Sequence, residues 1–309
     1  IRARKLWLDN ISGVILVDNV ISKYNVVKTP FQPVAVIGEY DAPEKQEQGI
    51  VKYDYLGDGN TIIYGNDGSE REMLLSTMIY STTKNYSASE VNIYIVDYGS
   101  ETLRRYQSLP QIGGMVFLGE EEKFNNLFKM IKEEIKLRKE LFVDYGGEYI
   151  NYIKDSDKKL PLKVIILNNY DSIFENNQTL YETLPEIVRD SDRYGVVFII
   201  TCNSHGSVYS KISQNFHNLY ALKLKDISDY ITIFGSKGKK YPRDIVGRGL
   251  LENDGIHEFQ TAAIVSDDDK LNSFVAEFIN KQKGISNVFA KRIPVLPNIV
   301  GFDDIAQDI

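Results

Sequence analysis

A single cysteine, Cys202, stands in 309 residues, which rules out a disulfide framework and any cysteine-built metal cage. It falls in an apolar run, so it reads as a buried, inert thiol in a cytosolic chain. Histidine is nearly as scarce: His205, His217 and His257 show no metal-ligand spacing and have no carboxylate cluster beside them. No metal site, no Ser/His/Asp arrangement and no catalytic residue is therefore assigned. Long apolar runs are missing too, none approaching the ~18 residues of a membrane span. Positive charge is in deficit, with 36 Lys and Arg against 43 Asp and Glu and a net charge of -7, which weighs against a general nucleic-acid footprint. The one basic cluster, Lys237, Lys239, Lys240 and Arg243 in GSKGKKYPRD, reads first as an exposed loop and second as a phosphate patch. The only tryptophan, Trp7, is assigned to packing the N-terminal lead-in onto the core. The opening at Ile1 carries no signal pattern and reads as a piece of a longer polypeptide, with any membrane attachment outside it.

What is present is an alternation of apolar runs and helical periodicities. Residues 1–34 form a lead-in punctuated by Pro30 and Pro33, residues 35–285 one α/β core, and residues 286–309 a linker opening a further module. Strands are expected at 33–38, 50–55, 62–64, 91–97, 115–118, 162–167, 196–202 and 219–224, with a β pair around Leu250 and 256–265. Helices are expected at 69–85, 101–106, 120–142, 178–193 and 227–234, with a last one around 275–279. Runs buried on both faces, alternating with helices, imply a mostly parallel sheet covered on both sides. The lead-in ARKLWLDNI (Ala3 to Ile11) is echoed by AKRIPVLPNI (Ala290 to Ile299), so the tail from Ala290 onward is expected to be poorly tied to this core.

The most informative stretch is NTIIYGNDGSEREMLL, a strand, a glycine turn and a helix opening at Ser69. On the phosphate-loop pattern G-x-x-x-x-G-K-[ST], Gly65 is the first glycine, with Asn66, Asp67, Gly68 and Ser69 as spacer. Glu70 stands at the second glycine, Arg71 at the lysine and Glu72 at the Ser/Thr, so the grammar survives and the chemistry does not. Two carboxylates in the first turn suit the helix dipole while filling the field meant for phosphate. An ordinary strand, turn and capped helix would read the same way.

A second place points in the same direction. The strand LKVIIL ends in Asn168 and Asn169, where a nucleotide-hydrolysing site of this layout carries acids for magnesium and the attacking water. Neutral amides cannot serve as a general base and are poorer magnesium ligands. Thr201, Cys202 and Asn203 close the next strand, at a position that commonly senses phosphate. Asp97, ending VNIYIVD, reads either as a polar contact at the sheet's carboxyl edge or as a helix cap.

With IGEYDAPEKQEQ, IIYGNDGSEREML, IYIVDYGSETLRRYQSLPQIGG, VIILNNYDSI, YGVVFIITCNS and GRGLLENDG in this order, the chain resembles the FtsK/SpoIIIE-type ATPase modules of the type VII secretion EssC/EccC proteins, the second of three tandem modules. The resemblance implies a RecA-like P-loop fold in a cytoplasmic module of a bacterial protein anchored in the cell membrane. It implies assembly into hexamers beside neighbouring modules of the same polypeptide and export of small helical-hairpin (WXG-type) proteins. It places nucleotide on residues 65–72, a degenerate Walker A, with Asn168 and Asn169 at the Walker B acids, and implies ATP and magnesium, weak or absent here. A degenerate ATPase module is expected. The rivals are an active ATPase completed by neighbouring subunits and an FtsK-like DNA translocase, the last disfavoured by the acidic balance.

Overall fold

The computed structural model describes residues 10–235 and 240–295. Ten strands form one sheet in the order β2-β1-β10-β9-β8-β3-β7-β6-β4-β5. The strands are β1 (Val34–Ala42), β2 (Glu47–Asp54), β3 (Thr61–Tyr64), β4 (Val91–Asp97), β5 (Ile112–Phe117), β6 (Leu162–Asn168), β7 (Val196–Cys202), β8 (Asn218–Ala221), β9 (Arg248–Glu252) and β10 (Ile256–Thr261). The helices are α1 (Val17–Lys23), α2 (Gly68–Asn85), α3 (Glu121–Leu141), α4 (Tyr149–Asp155), α5 (Tyr170–Asn176), α6 (Leu180–Val188), α7 (Ser210–Ser213), α8 (Ile227–Phe234) and α9 (Leu271–Ile285).

From β8 through β5 the strands run parallel, and β9, β10, β1 and β2 extend the sheet antiparallel. Every residue of β3, β4, β6 and β7 is buried, which is why their sequences are mostly apolar and do not alternate. Successive side chains still point to opposite faces. Ile63, Ile93, Ile95, Ile166 and Ile199 meet α1, α2, α4 and α9, while Ile62, Tyr94, Val96, Leu167 and Ile200 meet α3, α5, α6, α7 and α8.

Two expectations are corrected, those for the helix at 178–193 and for the tail. The lead-in is folded from Ile11 onward, with Leu16 bridging Ala263 and α1 burying Val17 and Val20; Trp7 lies outside the described residues. The helix expected at 178–193 stops at Val188 and resumes as a 3₁₀ turn at Asp192–Tyr194. The described part of the tail, up to residue 295, is seated on the core. Ala290 and Ile293 are buried, and the Ala290 N–H donates to Pro110 O at 2.8 Å. Tyr94 Oη donates to Lys291 O and Asn126 Nδ2 to Pro294 O, both at 2.8 Å. The cause is the glycine pair of QIGG on edge strand β5. A side chain at Gly114 would come within 2.5 Å of Ile293, and one at Gly113 within 2.6 Å of the Lys291 carbonyl. Without them the edge has a seat into which the tail drops.

Candidate functional site: a candidate phosphate loop that binds itself

The candidate loop leaves the carboxyl end of β3, which lies between β7 and β8. Its entry is held by the sheet: Gly65 N–H donates to Cys202 O at 3.1 Å and Asn66 N–H to Lys223 O at 2.8 Å. Helix α2 then begins at Gly68, before the loop can complete the wrap that the motif's spacer provides. Asp67 is the N-cap, and its carboxylate accepts from Ser69 N and Ser69 Oγ, each at 2.8 Å. Those bonds, the hydroxyl first, hold the Asp67 carboxyl below its ordinary range. An anion therefore already sits on the helix N-terminus, and it belongs to the chain.

Arg71 does not point outward from the site. It is 4% exposed, and Nη1 donates back to Gly65 O and to Asn203 Oδ1, the latter at 2.8 Å. The Asn203 amide, expected from the sequence at a position that senses phosphate, is thus spent on the arginine, whose Nε is buried without a partner. Glu70 is also buried, with Oε2 unpartnered, and burial raises its carboxyl pKa.

Glu72 turns the other way. Its carboxylate accepts from Ser100 Oγ at 2.8 and 2.7 Å, from Thr102 Oγ1 at 2.5 Å and from Ser100 N–H at 3.3 Å. Asn168 Nδ2 donates to Glu72 Oε1 at 3.4 Å and to Asp97 Oδ1 at 2.8 Å, so one amide nitrogen bridges two carboxylates. Its Oδ1 accepts from Thr201 Oγ1 at 2.7 Å. Asn169 caps α5 in the left-handed region, φ 62°, donating from N–H to Thr201 Oγ1 at 2.9 Å and from Nδ2 to Tyr98 O at 2.9 Å. Asp97 is wholly buried with Oδ2 unpartnered; burial, reinforced by Glu72 and Glu101, raises its pKa. Of its two expected roles, the contact at the carboxyl edge is the one observed.

The residues singled out in 65–72 therefore come together with Asp97, Asn168, Asn169 and Asn203. The partners Ser100 and Thr102 escaped the sequence reading, although the hydroxyl pair in DYGSET was its available signal. A cavity of about 240 Å³ adjoins the outer side of α2, lined among others by Ser69, Met73, Thr102, Arg105, Val246 and Leu271. The remaining candidates lie elsewhere. Cys202 is buried in β7, and burial pushes its thiol pKa well up. His257 lies tilted against Tyr40, ring centroids 5.5 Å apart, and 3.4 Å from Glu44 Oε1, while the His205 and Tyr64 ring centroids are 6.1 Å apart. Lys240 bonds Ile256 O and Arg243 pairs with Glu258, whereas Lys237 and Lys239 lie outside the described residues.

Comparison with known proteins gives this geometry a setting. The FtsK/SpoIIIE family model matches residues 28–266. The ESX secretion system protein EccC of Geobacillus thermodenitrificans is 28% identical over 222 residues, 71% of this chain and 15% of that protein. The type VII secretion system protein EssC of Staphylococcus aureus is 24% identical over 310 residues, 98% of this chain and 20% of that protein. The chain thus spans a fifth or less of the length of these relatives. Among solved structures, EssC (ATPases 2 and 3) from Geobacillus thermodenitrificans superposes with a TM-score of 0.87 over 97% of this chain and 57% of that one, at 24% identity. The sheet is the RecA-like fold of P-loop ATPases, as the resemblance implied.

Proposed function

Because the chain belongs to the FtsK/SpoIIIE family, we propose that it is a degenerate ATPase module of a type VII secretion motor, contributing to assembly, regulation or substrate contact with little or no hydrolysis of its own. The observation that carries this reading is the bridging of Glu72 and Asp97 by Asn168. The family implies nucleotide and magnesium in general, and the residues here do not fit them. The helix N-terminus is capped by Asp67, and an amide nitrogen stands between the two carboxylates where a cation would have to sit. No step through either group is derived.

The names and coverage of the relatives support one link of a tandem array, the second of three modules, in a cytoplasmic region of a membrane-anchored polypeptide. No described helix is long and apolar enough to cross a membrane. On this reading residues 286–309 open the next module even though 290–294 are seated on this one. Its partners are the neighbouring modules, other copies in a hexamer and small helical-hairpin secreted proteins; the net charge of -7 argues against DNA. The rival, a working ATPase completed by a neighbouring subunit, draws on the orphaned Arg71 Nε and Asp97 Oδ2. Titration with labelled ATP, with and without magnesium, separates the two. The proposal expects weak or no binding and no turnover, whereas micromolar affinity with magnesium-dependent hydrolysis, lost in Arg71→Ala, overturns it.

A further inference from the structure

In a working phosphate loop the Ser/Thr hydroxyl touches magnesium, and the metal with its phosphates ties the loop helix to the carboxyl edge of the sheet. Here Glu72 makes those ties directly. Its carboxylate reaches from α2 to Ser100 and Thr102 beyond β4, and to Asn168 at the end of β6. We infer that Glu72 is a built-in substitute for bound magnesium nucleotide, a latch that holds the carboxyl edge closed with no ligand present. This rests on the non-hydrolytic reading above and adds to it what the lost chemistry was exchanged for.

Three features support the latch independently. Ionised acceptors make hydrogen bonds roughly twice as strong as neutral pairs, and Glu72 is 7% exposed, so water competes little for its donors. Gly99 lets the segment approach: a side chain there would lie 3.0 Å from Glu72 Oε1 and from Asn168 Nδ2, and 3.2 Å from Asp97 Oδ1. Glu101, between the two latched hydroxyl residues, is held at φ 59° and ψ 18°. A non-glycine residue in that region costs about 1 kcal/mol or more and persists only when its surroundings over-determine it. The Ser100 and Thr102 bonds to Glu72 flank it and supply that constraint.

The test is amide hydrogen exchange on the full 309-residue chain, comparing wild type with Glu72→Ala and with the double variant Ser100→Ala/Thr102→Val. The second variant removes the two hydroxyl donors and leaves the carboxylate with Ser100 N–H and Asn168, so the inference can be judged even if Glu72→Ala does not fold. Both variants should exchange at least tenfold faster across residues 99–106, with β10 and α9 unchanged, and magnesium ATP should leave the wild-type pattern as it is. Wild-type rates across 99–106 in either folded variant would overturn the latch. So would protection of that segment in wild type on adding magnesium ATP. ATP turnover by the wild type would overturn the non-hydrolytic reading while leaving the exchange result to decide the latch by itself.

Discussion

Replacing Asn168 by Asp puts the site's geometry under direct strain. The amide nitrogen lies 2.8 Å from Asp97 Oδ1 and 3.4 Å from Glu72 Oε1, and the substitution turns that shared donor into a third carboxylate oxygen. At roughly 3 Å and an effective dielectric near 20, each new repulsion amounts to about 5 kcal/mol, enough to keep one proton in the cluster. Holding a carboxyl protonated at pH 7 against an ordinary pKa near ~4 costs about 4 kcal/mol, which bounds the loss. Against a total stability of ~5–15 kcal/mol this is large, and at ~2–4 °C per kcal/mol it lowers the melting temperature by about 10 °C. The folded variant holds a proton that the unfolded chain releases, so its stability falls as pH rises above ~4 and returns on acidification. Three converging carboxylates are also a hard-oxygen cation site; calcium at about 100-fold over its dissociation constant would restore about 2.7 kcal/mol. Melting curves at pH 5 and pH 7, with chelator and then with calcium, read all three effects. An Asn168→Asp protein that melts like wild type at pH 7 and ignores calcium would show that the three groups do not converge.

Restoring the loop by Glu70→Gly, Arg71→Lys and Glu72→Thr should raise ATP affinity appreciably only when Asp67→Gly also clears the helix N-terminus, by tenfold or more over the triple variant in calorimetry; equal affinities would remove Asp67 as the obstacle. Burial lowers the Lys163 ammonium pKa from 10.5 to about 8, so the folded state binds fewer protons than the unfolded chain between those values and stability climbs with pH across that window. Lys163→Met should therefore stabilise the protein at pH 7 by up to about 3 kcal/mol, a gain that shrinks toward pH 10, since Arg138 still pairs with Glu134. Truncation after Gly284 should cost about 2–4 kcal/mol by unseating Ala290 and Ile293, and Gly114→Val should reproduce the loss in the intact chain; unchanged melting in both would detach the tail from the core.

Much of the fold was open to reading because burial writes itself into composition. VNIYIVD and LKVIIL are mostly apolar because both faces are covered, with Asn92, Asp97 and Lys163 as buried exceptions, and the spacing of Met73, Leu74, Met78 and Ile79 follows the helix period. The antiparallel extension was harder. Alternation marked 33–38 and 50–55 as strands, but nothing local says that β1 joins the parallel half through β10 and β9. At the site, residue types show where the chain departs from the phosphate-loop pattern, not which contacts those residues make. Whether Asp67 caps its own helix or Asn168 bridges two carboxylates depends on a few ångströms set by β3, β4, β6 and β7 together. The tail was misjudged because its proline-rich sequence resembles a linker, while the seat that receives it is defined by two absent side chains on β5.

The residues that stand at the loop and at the end of β6 satisfy one another, which couples any change made at either place. Glu72→Thr alone would take the shared acceptor from Ser100 and Thr102 and leave Asn168 with one carboxylate instead of two. Asn168→Asp alone would crowd three carboxylates. Made together, the two changes remove one carboxylate as they add another, so the crowding of three carboxylates does not arise. Their costs should therefore not add: neighbours in one network couple by ~0.5–3 kcal/mol, and here the double variant should be less destabilised than the sum of the singles. Additive losses in that cycle would mean that Glu72 and Asn168 act separately, so that neither holds the other in place. Coupling of the expected sign would mean that a change toward the hydrolytic pattern must pass through a less stable intermediate, whichever residue changes first.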